Sequence, residues 1–159
     1  MSRAFVKEVD DAPPPITERP VSAAPNLVTP RGARLIEQSV VTLEEQIATV
    51  TDERVLLSLR RDLRYWHLRG SNMRIVPPVH EPSKIEFGVR VKIRRGGRVS
   101  EICIVGEDEA EPSAGLIAWT APLARALQGA QAGETVDLEA GGRVEPVTVV
   151  AIDGGRVEG

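Results

Sequence analysis

The chain has 159 residues, 42% hydrophobic and 27% charged, which suffices for one ordinary domain and a smaller appendage and excludes wholesale disorder. Twenty Lys and Arg against 23 Asp and Glu leave a net charge of −3, which argues against a simple basic nucleic-acid binder but says nothing about local patches. No apolar run approaches the roughly 20 residues that cross a bilayer, and Cys103 alone cannot form an intramolecular disulfide.

The opening MSRAFVKEVDD lacks the continuous apolar segment of a secretory signal, so a cytoplasmic monomer without membrane contact is expected. Residues 1–28 carry Pro13, Pro14, Pro15, Pro20 and Pro25 in a polar setting, which predicts a disordered tail. Ala4-Phe5-Val6 is a candidate docking peptide within it, against the plainer reading of a mobile tail.

From Thr29 the texture changes. Thr29-Pro30 supplies a capping side chain and a proline suited to the first helical position. Ile36, Val40, Leu43, Ile47 and Val50 recur at spacings of 4, 3, 4 and 3. Leu56, Leu59, Leu63, Trp66, Gly70 and Met73 recur at 3, 4, 3, 4 and 3. Two such seams with a phase break at Thr51-Asp52-Glu53 predict an antiparallel helical hairpin, a short coiled coil over residues 29–76. Each arm of about 20 residues would be roughly 30 Å long. Gly70, on the seam, would let the two backbones approach closely.

Pro77 and Pro78 are expected to end the second helix, with a linker over 77–85. From Glu86 the period becomes two: Val89, Val91 and Ile93 alternate with Arg90, Lys92 and Arg94. A Gly96-Gly97 turn leads to a strand over 99–105, then a short strand at 116–119, a helix over 122–128 and strands at 135–138 and 144–152. The expected class is α+β, with a mainly antiparallel sheet around one helix over 86–153 and a tail at 154–159. Pro146 argues against the last strand being central along its whole length.

The ordered motifs Leu27-Val28-Thr29-Pro30-Arg31-Gly32, Arg64-Tyr65, Arg74-Ile75-Val76, Phe87-Gly88, 104–109 (IVGEDE), Leu116-Ile117 and 121–127 (APLARAL) resemble those of the GreA/GreB transcript-cleavage factors. The resemblance covers about residues 26–153. It implies an amino-terminal helical hairpin, an FKBP-like carboxy-terminal domain, and binding to bacterial RNA polymerase at its secondary channel. One departure bears on activity. The family's hairpin tip carries G-D-x-S-E-N-A-x-Y, whose acids help hold a catalytic metal in the polymerase, and no such string is present. The arms are also shorter, similar to short-hairpin relatives such as the Rnk regulator of nucleoside diphosphate kinase. Each missing helical turn withdraws a tip by about 5.4 Å, and carboxylates must lie about 2.0–2.1 Å from Mg²⁺ to bind it.

Asp52 and Glu53 are the acids at the predicted tip, readable as a reduced pair sharing Mg²⁺ with polymerase acids or as ordinary helix-terminal residues. Within the family-like segment 121–127, Pro122 and Arg125 are candidate partner contacts, since Leu123 and Leu127 share a face suited to the core. The resemblance also puts Gly106, Glu107, Asp108 and Glu109 on the polymerase-facing side; a solvated loop is the alternative. Arg54, Arg60, Arg61, Arg64, Arg69 and Arg74 of the second helix are expected to be solvated and paired with Glu37, Glu44 and Glu45. His67 and His80 are too isolated for a zinc site, and no residues stand out as catalytic. The leading expectation is a non-enzymatic elongation regulator without a cofactor, meeting nucleic acid only within the transcription complex. The alternatives are a true cleavage-stimulating factor using Asp52 and Glu53, a regulator of nucleoside diphosphate kinase, and a peptidyl-prolyl isomerase or chaperone suggested by fold alone.

Overall fold

The computed structural model describes residues 14–154, so Ala4-Phe5-Val6 and most of the expected carboxy-terminal tail lie outside the described residues. Residues 14–26 form no helix or strand and run against the later elements. Strand β1 (Leu27–Val28) leads into helix α1 (Pro30–Thr49). Thr29 caps α1 through its hydroxyl, which accepts from the Gly32 N–H at 3.0 Å, and Pro30 occupies the first turn. Helix α2 (Glu53–Asn72) follows almost at once. Its cap is Asp52, whose Oδ1 accepts from the N–H groups of Arg54 and Val55 at 2.9 and 3.1 Å.

The two helices, 20 residues each, pack along the anticipated seam. Ile36 is buried and Val40, Leu43, Ile47, Leu56, Leu59, Leu63, Trp66 and Met73 are half-buried, whereas Val41, Val55, Leu57 and Leu68 face solvent. Gly70 is not at a tight crossing: a Cβ there would meet Ile36 Cγ2 at 3.6 Å, an ordinary contact.

Strand β2 (Arg74–Ile75) pairs in parallel with β1, Leu27 opposite Arg74 and Val28 opposite Ile75. The expected tail over 1–28 therefore ends earlier than proposed. Asn26 and Val28 are buried, and the Asn26 side-chain amide donates to the Arg69 carbonyl at 2.9 Å. Helix α2 stops before the prolines too, because the chain becomes extended to reach β1.

The second unit is a sheet of order β5-β4-β3-β7-β6, built from β3 (Arg90–Arg95), β4 (Arg98–Val105), β5 (Leu116–Ala118), β6 (Thr135–Ala140) and β7 (Arg143–Asp153). Its pairings are antiparallel except β4 with β5, which run parallel. The sheet is thus mainly antiparallel, as expected; its one parallel pair arises because two 3-10 turns, Glu107–Glu109 and Pro112–Ala114, carry the chain back before β5 begins. Helix α3 (Pro122–Leu127) covers one face. The core gathers Val91 and Ile93 of β3, Ile102 and Ile104 of β4, Val147 and Val149 of β7, Leu138, Ala124 and Leu127. Full burial of each large aliphatic side chain contributes about 1.5–3 kcal/mol. Ile85, at the end of the expected linker, belongs to this core and exchanges backbone hydrogen bonds with Ala130 and Gly129 at 2.8 Å. Pro146 lies one residue beyond the last β3 partner, Val147, so it costs the β3 ladder nothing and β7 is interior only beyond it. Among the described residues, no helix is long and apolar enough to cross a membrane.

Candidate functional site

Where the hairpin meets the sheet, the acids following β4 turn inward. The Glu109 side chain is 1% exposed. One of its oxygens accepts from the Thr29 hydroxyl at 2.6 Å; the other accepts from the N–H groups of Thr29 and Gly106 at 3.0 and 3.3 Å. The Arg31 guanidinium stands 3.8 Å away. One carboxylate thus seats the cap of α1, where the positive helix terminus favours an anion. The fit leaves no space for side chains at two glycines. A Cβ on Gly32 would lie 2.2 Å from Glu109 Oε2, and one on Gly106 would lie 2.5 Å from the Leu27 carbonyl.

Beside it, Asp108 receives both the Tyr65 hydroxyl, at 2.5 Å, and the Arg69 guanidinium. Arg69 is itself 1% exposed and also approaches Glu107 at 3.6 Å. Glu107 accepts from Thr120 and from Ser22 at 3.0 Å each. A buried guanidinium is tolerated because carboxylates surround it, and removing one partner from such a set costs about 3–5 kcal/mol. Burial and the Asp108 carboxylate together push the Tyr65 phenol up to about 12. Arg19 lies over the Tyr65 ring at 3.8 Å, and Arg64 pairs with Glu18, so residues 18–22 strap the outer side of α2 to the joint.

The hairpin's far end is simple. Val50 closes α1 by donating its N–H to the Gln46 carbonyl at 3.0 Å; Asp52 is exposed, but its Oδ1 is engaged as a cap. Glu53 is exposed in the first turn of α2. Among the described residues, no group of three His, Cys, Asp or Glu side chains is arranged to hold a metal. On α3, Leu127 and Ala124 are buried and Leu123 is half-buried on the core, while Pro122 and Arg125 face solvent.

A family model described as "Transcription elongation factor, GreA/GreB, C-term" matches residues 80–154, from the expected linker to the end of the sheet. The sheet domain belongs to the GreA/GreB family. The chain is 39% identical over 71 residues to transcription elongation factor GreA of Methylococcus capsulatus, covering 43% of this chain and 45% of that protein. It is 34% identical over 86 residues to GreA of Alkalilimnicola ehrlichii, covering 52% and 54%. The chain thus spans about half the length of these relatives. Among solved structures, GreA factor homolog 1 of Thermus thermophilus aligns at 18% identity over 82% of this chain and 100% of that one, with a TM-score of 0.40.

Four of the seven motifs that carried the GreA/GreB resemblance, 27–32, 64–65, 74–76 and 104–109, meet at the joint. That alters the reading of the acidic segment. Gly106 and Glu109 are buried, and the Asp108 and Glu107 carboxylates are engaged within the chain, so these side chains clasp the joint. The arginines of α2 also find other partners than the acids of α1: Arg64 takes Glu18, Arg61 takes Asp62, and Arg69 takes Asp108. Across the hairpin itself, His67 approaches Glu44 at 3.7 Å. Sequence reasoning passed over Arg69 and Tyr65 as a working pair. The available signal was a charged residue at 69, three residues after Trp66 and four before Met73 and so on their side of the helix, where an arginine needs a buried anion.

Proposed function

We propose that this protein is a GreA/GreB-like elongation regulator that docks on bacterial RNA polymerase at the secondary channel and does not stimulate transcript cleavage. The sheet domain would supply the grip, with the exposed Pro122 and Arg125 of α3 toward the partner, and the hairpin would enter the channel mouth. The observation that carries this reading is the tip. Two arms of 20 residues, roughly 30 Å each, end in a cap whose one well-placed carboxylate already binds two backbone N–H groups. That leaves only Glu53 and the second Asp52 oxygen, Oδ2, at the end of these short arms for a polymerase metal to draw on. The protein acts by occupancy: it competes with longer channel-binding factors and is not itself an enzyme.

The test is binding to core polymerase, competition with a genuine cleavage factor, and RNA length in backtracked complexes. Saturable binding that displaces the cleavage factor, with transcripts unchanged, is the expected result. No binding at micromolar protein removes the docking proposal. Shortened transcripts that depend on Asp52 and Glu53 replace it with the cleavage-stimulating alternative.

A further inference from the structure

The β3–β4 ribbon stands apart from the rest of the molecule in charge. Residues 90–98 (RVKIRRGGR) hold five cations and no acid, in a chain whose net charge is −3. Val91 and Ile93 point into the core, which leaves Lys92 and Arg94 on the solvent face. Beyond Ile93 the core ends, and Arg95 and Arg98, both exposed, stand directly opposite each other on the other face. Like charges placed directly across a strand pair destabilise it, so folding alone does not account for this arrangement. Glu101 answers Arg90 at 2.6 Å and Glu145 answers Arg95 at 2.8 Å. No carboxylate of the described residues forms an ion pair with Lys92, Arg94 or Arg98. Gly96 and Gly97, with φ of +53° and +76°, make the tight two-residue turn that keeps this end narrow.

We infer that the end of the β3–β4 ribbon is a contact for the phosphate backbone of a nucleic-acid duplex, seated in a groove. Three features select that partner. Guanidinium groups, two of the three cations to which no carboxylate of the described residues is paired, match phosphate oxygens in a bidentate fork. Cations on both faces of a narrow ribbon suit two phosphate walls, and a duplex major groove admits a two-stranded ribbon. No aromatic residue lies in 90–98, so base stacking, the usual hold on single strands, is missing. The contact carries no sequence information; it adds orientation and a salt-dependent attraction. It is independent of the docking proposed above, because it needs only this chain and nucleic acid.

The experiment is fluorescence anisotropy of the full chain with a labelled duplex DNA of about 20 base pairs in 50–200 mM KCl. Engaging about three phosphates gives a slope of log K against log salt of about −2.7, so binding weakens about 40-fold across that range. Lys92→Gln/Arg94→Gln/Arg98→Gln should lose at least about tenfold in affinity at 50 mM KCl and flatten the slope. Arg54→Gln/Arg60→Gln, both exposed on α2, should leave affinity and slope unchanged. Relief of the Arg95/Arg98 repulsion should leave the thermal midpoint of the ribbon variant equal to wild type or higher, which separates lost contact from lost fold. An unchanged slope in the ribbon variant, or loss confined to the α2 variant, overturns the assignment. So does tighter binding of single-stranded RNA or of labelled polyglutamate than of the duplex.

Discussion

Replacing Gly32 with alanine looks harmless by helix propensity and should be among the most damaging changes in the chain. The added Cβ would lie 2.2 Å from Glu109 Oε2 and 2.6 Å from Cδ, with Cγ at 3.1 Å, so the whole carboxylate must leave its seat. Three donors then lose their acceptor: the Thr29 hydroxyl, the Thr29 N–H and the Gly106 N–H. At about 1–1.5 kcal/mol each, the loss is about 3–4 kcal/mol. Alanine returns up to about 1 kcal/mol in helix propensity, leaving Gly32→Ala about 2–3 kcal/mol less stable than wild type. Urea unfolding followed by far-UV circular dichroism, with tryptophan fluorescence reporting Trp66 in the hairpin and Trp119 beside the sheet, measures this. The decisive comparison is a double-mutant cycle. In a Glu109→Ala background there is no carboxylate to expel, and Gly32→Ala should become neutral or mildly stabilising. Gly32→Ala at least as stable as wild type, or an undiminished loss in the Glu109→Ala background, would refute the clasp.

Gly70→Ala should behave in the opposite way, stabilising the hairpin by up to about 1 kcal/mol, since its Cβ would meet only Ile36 at 3.6 Å; the urea midpoint checks it, and a loss would mean a tighter crossing than described. Asp52→Ala should cost about 1 kcal/mol through the lost cap while Asp52→Asn costs little, as thermal unfolding would show. Tyr65 is the chain's one tyrosine, so ultraviolet titration reads it alone; its midpoint should fall near 12 and drop in Asp108→Asn. Because the folded-state value is raised above the ordinary value near 10, the phenol's contribution to stability is complete below about pH 10 and is lost as pH rises through about 12.

Local rules made the hairpin legible. Thr29-Pro30, the two apolar seams and Asp52 all sit where short-range chemistry demands, and each does the expected work. The strands were also visible by alternation, though not the direction of β5, because pairing sense depends on where the intervening chain returns. The joint was the opaque part. Glu109 lies 80 positions from Thr29 and Asp108 lies 39 from Arg69, so no periodicity links them. Three acids in a row look solvated unless their distant cations and donors are known, which is why the clasp was not legible. Pro122 and Arg125 were placed correctly at the surface by the simple fact that Leu127, on the other side of a short helix, had to be inside.

The parallel pairing of β1 with β2 brings the chain into and out of the hairpin at one spot. Everything distal to that spot can then be lengthened or trimmed as a cassette, provided both arms change together and the seams stay in phase. Seven residues added to each arm would advance the tip by about 10 Å without touching the mounting. In such a layout, how far the protrusion reaches is a dial that can be turned independently of how firmly the base is anchored.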